Sequence, residues 1–292
     1  MKYKYFLVFI AFLLGFTQIR CGSKKVAEVK LEPEVPLQYE VRFPQDMDEE
    51  GTPSIVVALH GHNRDEKEAT QLWDEGFFYE PDFILLSVRG PFKGTEGYEW
   101  FSQVDSLASD PIKRRRASAP TSEDRILDAI NEFATKQNIE PGLIYLLGFS
   151  QGATMALDIG LRNPEIFDGI AAIAGNIDTF LLSEAKIKDI EDMDIFLAIG
   201  RGEGPRAVEA MEGTKDLLAG AGARVRLYLH DEGHTINARS CRAMQNFLEL
   251  TYTEAPEDDN IYRPGSEDSE PDEEETPEYQ DQGEDESDYQ EE

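Results

Sequence analysis

Only two cysteines occur in 292 residues, Cys21 and Cys241, so no disulfide framework holds this chain together. Four histidines, two of them as His60-x-His62, leave little material for a metal centre. Asp65 follows at a suggestive distance, but Glu66 stands where such a cluster would want another histidine. Basic residues are scarce as well, 28 against 59 acidic, for a net charge of −31. That sign disfavours nucleic acid as a partner. No apolar run is long enough for a typical spanning helix; the longest, from Tyr5 to Phe16, is 12 residues.

What is present is unevenly spread. Residues 254–292 hold 19 Asp or Glu and one Arg, a net −18, which leaves −13 on the other 253. That acidic tail has few aliphatic residues and carries Pro264, Pro271 and Pro277, so it cannot bury enough surface to offset ordering entropy. The composition predicts a disordered tail over 253–292, with solvation as its simplest role and cations or a basic partner as an alternative.

At the other end, Lys2 and Lys4 precede the apolar run, and Cys21-Gly22-Ser23 follows it. This layout predicts an export signal over 1–23 and places the protein in a bacterial cell envelope, lipid-anchored or secreted. Acylation of Cys21 and cleavage after Ser23 are competing outcomes, since Gln18-Ile19-Arg20 lacks the small residue expected before an acylated cysteine. Lipidation would also forbid a Cys21–Cys241 disulfide. Residues 24–36, charged and Pro-containing, read as a tether.

Between the tails, residues 37–252 alternate apolar runs with amphipathic segments. Ser54–Leu59, Phe83–Val88, Leu143–Leu147, Gly169–Ala174, Ile195–Ile199 and Val225–Leu229 read as buried strands. Residues 37–43 alternate in period two, as an edge strand does. The intervening helical patterns predict a single α/β domain with a doubly wound, mostly parallel sheet. Residues 102–120, with Lys113-Arg114-Arg115-Arg116, read as a long loop, and the helix after it as capped by Thr121 or Ser122. The basic run reads as a solvated stretch, with an anionic substrate, anionic lipid or the acidic tail as alternative partners.

The most informative stretch is Gly148-Phe149-Ser150-Gln151-Gly152, where a strand gives way to a helix. Such a turn lifts the serine hydroxyl clear of the sheet, and its glycines allow the close approach it needs. A serine is a poor nucleophile until a base takes its proton and an acid orients that base. In an open parallel sheet those partners lie just beyond the carboxyl ends of the strands. His234, between the final strand and helix, is the leading base; His230 sits at the strand end and reads as packing. Glu203, in Gly200-Arg201-Gly202-Glu203, is the first carboxylate after its strand, with Asp231 second and a merely solvated Glu203 the plainer alternative. Backbone N–H groups of Gln151 and His62 are placed to receive an oxyanion.

Leu59-His60-Gly61, Arg89-Gly90-Pro91, Trp100-Phe101, the Gly-Phe-Ser-Gln-Gly motif with Ala153, and Gly233-His234 together resemble the phospholipase/carboxylesterase family of α/β-hydrolases. The resemblance spans about residues 52–250. It implies an α/β-hydrolase fold and a cofactor-free serine esterase, acting on small-molecule or lipid esters or thioesters. Ser150 would be its nucleophile, His234 its base and the His62 and Gln151 N–H groups its oxyanion donors. Trp100 and Phe101 would line the cleft, with core packing as their alternative. One departure stands out: Glu203 and Gly204-Pro205-Arg206 replace the family's aspartate and its Val-Pro continuation. A non-catalytic binding protein with a degraded acid loop is therefore the competing reading.

Overall fold

Six of the apolar runs lie side by side as parallel strands, and their alternating residues feed both faces of one sheet. The computed structural model describes residues 31–45, 52–103, 110–177, 190–250 and 261–262. The export segment with Cys21 and the acidic tail beyond 262 lie outside the described residues. The strands are β1 (Tyr39–Arg42), β2 (Ser54–Leu59), β3 (Phe83–Val88), β6 (Ile144–Phe149), β7 (Gly169–Ile173), β8 (Asp194–Gly200), β9 (Arg224–His230) and β10 (Ile261–Tyr262). Their order is β1-β3-β2-β6-β7-β8-β9-β10, with β1 and β10 antiparallel at the two edges. A small hairpin, β4 (Phe92–Lys93) and β5 (Tyr98–Glu99), stands apart from this sheet.

Because both faces are covered, the central strands are continuously apolar rather than alternating. Ile55, Val57 and Leu59 of β2 share one apolar layer with Ile126 and Phe133 of α2 (Pro111–Gln137), Met155 and Leu157 of α3 (Gln151–Arg162), and Met211 and Leu218 of α4 (Pro205–Gly220). Val56 and Ala58 share the opposite layer with Ala69 of α1 (Lys67–Asp74) and Met244 and Phe247 of α5 (Ala238–Phe247). Cys241 lies in that second layer as a small apolar residue, and burial pushes its thiol up to about 12. Among the described residues, no helix is long and apolar enough to cross a membrane.

The chain runs from β2 outward to β3, then returns to place β6 on the opposite side of β2. The carboxyl ends of β2 and β6 therefore flank the topological switch point, where open α/β sheets bind ligands. Leu59 pairs with Gly148 across that seam, which sets the segment after β2 beside Ser150.

Three sequence expectations change. Residues 111–120 are not loop but the first turns of α2. Pro111 suits a helix start, and the hydroxyls expected to cap at 121–122 are engaged elsewhere: Thr121 donates to the Leu31 carbonyl and Ser122 to that of Trp100. Residues 31–36, the end of the segment read as a tether, pack on the domain. Val35 is buried, and its carbonyl accepts from the Arg125 guanidinium. Trp100 and Phe101, expected on the cleft wall, are core residues with 0% and 3% exposure. Burying two large rings beside α2 removes more apolar surface from water than lining an open cleft would.

Candidate active site

The serine at the end of β6 occupies backbone space that L-residues avoid. Ser150 has φ 54° and ψ −114°, between the last residue of β6 and the first of α3. Its N–H donates to the Ile173 carbonyl of β7 (2.9 Å), and its own carbonyl accepts from Ala153 and Thr154. Gly148 and Gly152 make the elbow sterically possible. A Cβ at 148 would strike the Gly152 carbonyl oxygen and the Ala153 backbone, and one at 152 would strike the carbonyls of Leu59 and His60.

Two loops from the neighbouring strand ends complete the constellation. Ser150 Oγ and His234 Nε2 are 2.9 Å apart, and His234 Nδ1 is 2.9 Å from Glu203 Oε2. A carboxylate only accepts, so Nδ1 carries the proton and Nε2 is left to accept from the serine hydroxyl. The two loops meet because their backbones lie against each other. Gly202 N–H donates to the Glu232 carbonyl (2.9 Å), and a side chain at Gly200 would collide with the Glu232 and Gly233 carbonyls. Phe149 packs on the imidazole with ring centroids 5.0 Å apart. Glu203 follows β8 in a short 3-10 turn (Arg201–Glu203); its Oε1 is buried without a hydrogen-bond partner among the described residues. Asp231, the second candidate, pairs instead with Arg201 and is almost fully exposed. His230 is buried in β9, where desolvation holds its imidazole below the ordinary value.

Facing the elbow is the turn after β2, closed by an Arg64 N–H to Gly61 carbonyl bond. The Gly61 N–H donates to Glu68 (2.7 Å), a carboxyl whose pKa burial raises. Neither the His62 N–H nor the Gln151 N–H has an acceptor among the described residues. His60 is structural: Gly90 N–H donates to its Nε2 (2.9 Å), Nδ1–H donates to the Gly61 carbonyl (2.8 Å), and Trp100 Nε1–H donates to its carbonyl (2.9 Å). Sequence reasoning missed Glu68 and Glu99, the latter bonded to both His62 and Gln151. Glu66 ion-pairs with Arg89, and among the described residues no three His, Cys, Asp or Glu side chains are set to hold a metal.

Burial lowers the His60 pKa from 6.5 to about 4, with the neutral ring satisfied on both nitrogens. Between those values the unfolded chain binds a proton that the folded chain refuses, so stability falls as pH drops from about 6.5 to 4. The full effect is about 3 kcal/mol. Urea midpoints measured across that window should fall more steeply for wild type than for His60→Gln. Parallel curves would refute the assignment.

A family model described as phospholipase/carboxylesterase matches residues 81–252, more than half the chain. The esterase YpfH of Escherichia coli K12 is 27% identical over 179 residues, covering 59% of this chain and 71% of its own. The crystal structure of esterase PE8 aligns with TM-score 0.55 at 27% identity, over 76% of this chain and 100% of that one. The Bacillus cereus carboxylesterase has the same TM-score at 16% identity, covering 75% and 96%; at that identity the likeness is one of fold.

Proposed function

The chain belongs to the phospholipase/carboxylesterase family, and on that footing we propose that Ser150, His234 and Glu203 form its catalytic relay. The continuous hydrogen-bond path from the Ser150 hydroxyl through His234 to Glu203 carries this reading, with 2.9 Å at each link. Ser150 Oγ attacks the carbonyl carbon of a carboxylic ester or thioester while His234 Nε2 takes its proton. The oxygen turning anionic is received by the N–H groups of His62 and Gln151, the latter at the positive end of α3. Collapse of that tetrahedral species breaks the bond to the alcohol or thiol, which leaves with the proton from His234. Water, deprotonated by the same imidazole, then frees the acid from Ser150.

Small-molecule and lipid esters both suit such chemistry. The N-terminal layout supports export, with Cys21 as an acylation site; the mass of the mature N-terminal peptide decides between acylation and cleavage after Ser23.

Labelling with a fluorophosphonate tests the reading. The probe should attach to the tryptic peptide carrying Ser150, and unfolding the protein first should abolish attachment. No adduct on folded protein would favour the non-catalytic binding protein. Glu203 is tested by Glu203→Gln, which keeps the volume but no longer demands a proton on His234 Nδ1. Turnover of nitrophenyl esters should fall on the order of 10³- to 10⁴-fold. A loss under threefold would dismiss Glu203 as the orienting acid and leave it a loop residue.

A further inference from the structure

Glu99 takes no part in the chemistry above, yet it touches both residues whose backbone N–H groups flank the oxyanion position. It ends β5, and its side chain is only 1% exposed. Glu99 Oε1 is 3.1 Å from His62 Nδ1, and Oε2 accepts from Gln151 Nε2 at 2.5 Å. Gln151 Oε1 accepts the Trp100 N–H (2.7 Å), which settles the amide's orientation. Asn63 Nδ2 lies 3.2 Å from His62 Nε2, and Asn63 Oδ1 accepts from Thr95 N–H (2.8 Å), which settles that amide too. His62 Nε2 therefore accepts, and its Nδ1–H donates to Glu99. Among the described residues, both side chains bonded to the carboxylate are donors aimed at it.

We propose that Glu99 is a positioning residue, tying the side chains of His62 and Gln151 together so that their N–H groups converge on one oxygen. The inference rests on the assignment of Ser150 chemistry made above. Oxyanion donors act only within about 2.7–3.1 Å of the forming charge. Here they come from separate pieces of backbone, the turn after β2 and the start of α3, so their spacing needs a cross-link. The β4–β5 hairpin supplies it. Tyr98 N–H donates to the Arg64 carbonyl, and Arg89 stacks 4.2 Å from the Tyr98 ring centroid. Gly94 lets the hairpin close, because a Cβ there would come 2.9 Å from Glu99 Oε1 and would collide with Asn63 Oδ1.

Glu99→Gln keeps the volume but must turn an NH₂ toward an existing donor. Facing Gln151, it breaks that bond. Facing His62, it forces the other ring nitrogen to take the proton, against the Asn63 amide. Either way the network that holds His62 and Gln151 loses a bond. The kcat for a nitrophenyl ester should fall on the order of 10²-fold, the size of losing one oxyanion donor, with KM within about twofold. Because a trifluoromethyl ketone seats its oxyanion in the same place, its Ki should rise by the same factor. A merely structural Glu99 would lower the urea midpoint and the fraction of sites titrated by fluorophosphonate, but not kcat per titrated site. Should Glu99→Gln fail to fold, Gln151→Met cuts the other arm with the backbone N–H intact, and the same split is expected. Wild type that turns over while the folded variant keeps its kcat and Ki sinks this inference alone. Wild type that takes no probe and turns over nothing sinks the Ser150 assignment, and this with it.

Discussion

Replacing Ser150 with alanine should lower ester turnover by about 10⁴- to 10⁶-fold and erase fluorophosphonate labelling. The change removes one oxygen at the end of the path to His234, and among the described residues no other hydroxyl bonds His234 Nε2. The fold should survive, because apart from the Oγ bond to His234 the hydrogen bonds of Ser150 run through its backbone, to Ile173, Ala153 and Thr154. Backbone strain supplies a second readout. At φ 54° and ψ −114° a side chain of any kind costs about 1–3 kcal/mol, and glycine avoids most of that. Ser150→Gly should therefore be equally inactive yet more stable than Ser150→Ala by about 1 kcal/mol in urea. Turnover within tenfold of wild type would remove Ser150 from the mechanism. Equal stability of the two variants would show that the elbow is relaxed.

Features that announced themselves in the sequence were those tied to a period or to the end of a strand. The apolar runs at 54–59, 83–88 and 195–199 are buried parallel strands, as their unbroken hydrophobicity requires. The histidine after β9 and the carboxylate after β8 were legible because a parallel sheet gathers its strand ends at one edge. Residues 92–99 were silent for the opposite reason. Two-residue strands carry no period, and Gly94-Thr95-Glu96-Gly97 reads as featureless turn. Glu99 was therefore invisible as a partner of His62, although it is almost wholly buried. For Trp100 and Phe101 the core alternative holds rather than the cleft that the resemblance implies, because an aromatic pair has the same sequence pattern on a cleft wall as in a core. The start of α2 hides because its first turns carry Pro111, the basic run and Pro120, although one proline suits a first helical turn and the other lies within the helix.

A methyl group at position 152 should do more damage than its size suggests. Alanine is worth about 1 kcal/mol over glycine inside a helix, so intrinsic preference alone would make Gly152→Ala stabilising. Sterics oppose it. The added Cβ would lie 2.1 Å from the Leu59 carbonyl oxygen and 2.6 Å from that of His60, both backbone atoms with no rotamer to yield. Relief requires α3 to move away from the end of β2, which is the seam that brings Ser150 and the His62 turn together. Overpacking of this kind costs about 1–3 kcal/mol or more, enough to overturn the helix preference. A shift of about 1 Å between nucleophile and oxyanion donors costs about 10²-fold in rate. The urea midpoint and kcat should therefore fall together. Gly213 of α4 provides the control, since a Cβ there meets nothing within 4 Å. Gly213→Ala should gain about 0.5–1 kcal/mol with unchanged turnover, because only the propensity acts there. A Gly152→Ala protein as stable and active as wild type would mean that the contact between the start of α3 and the end of β2 does not set the geometry of the site.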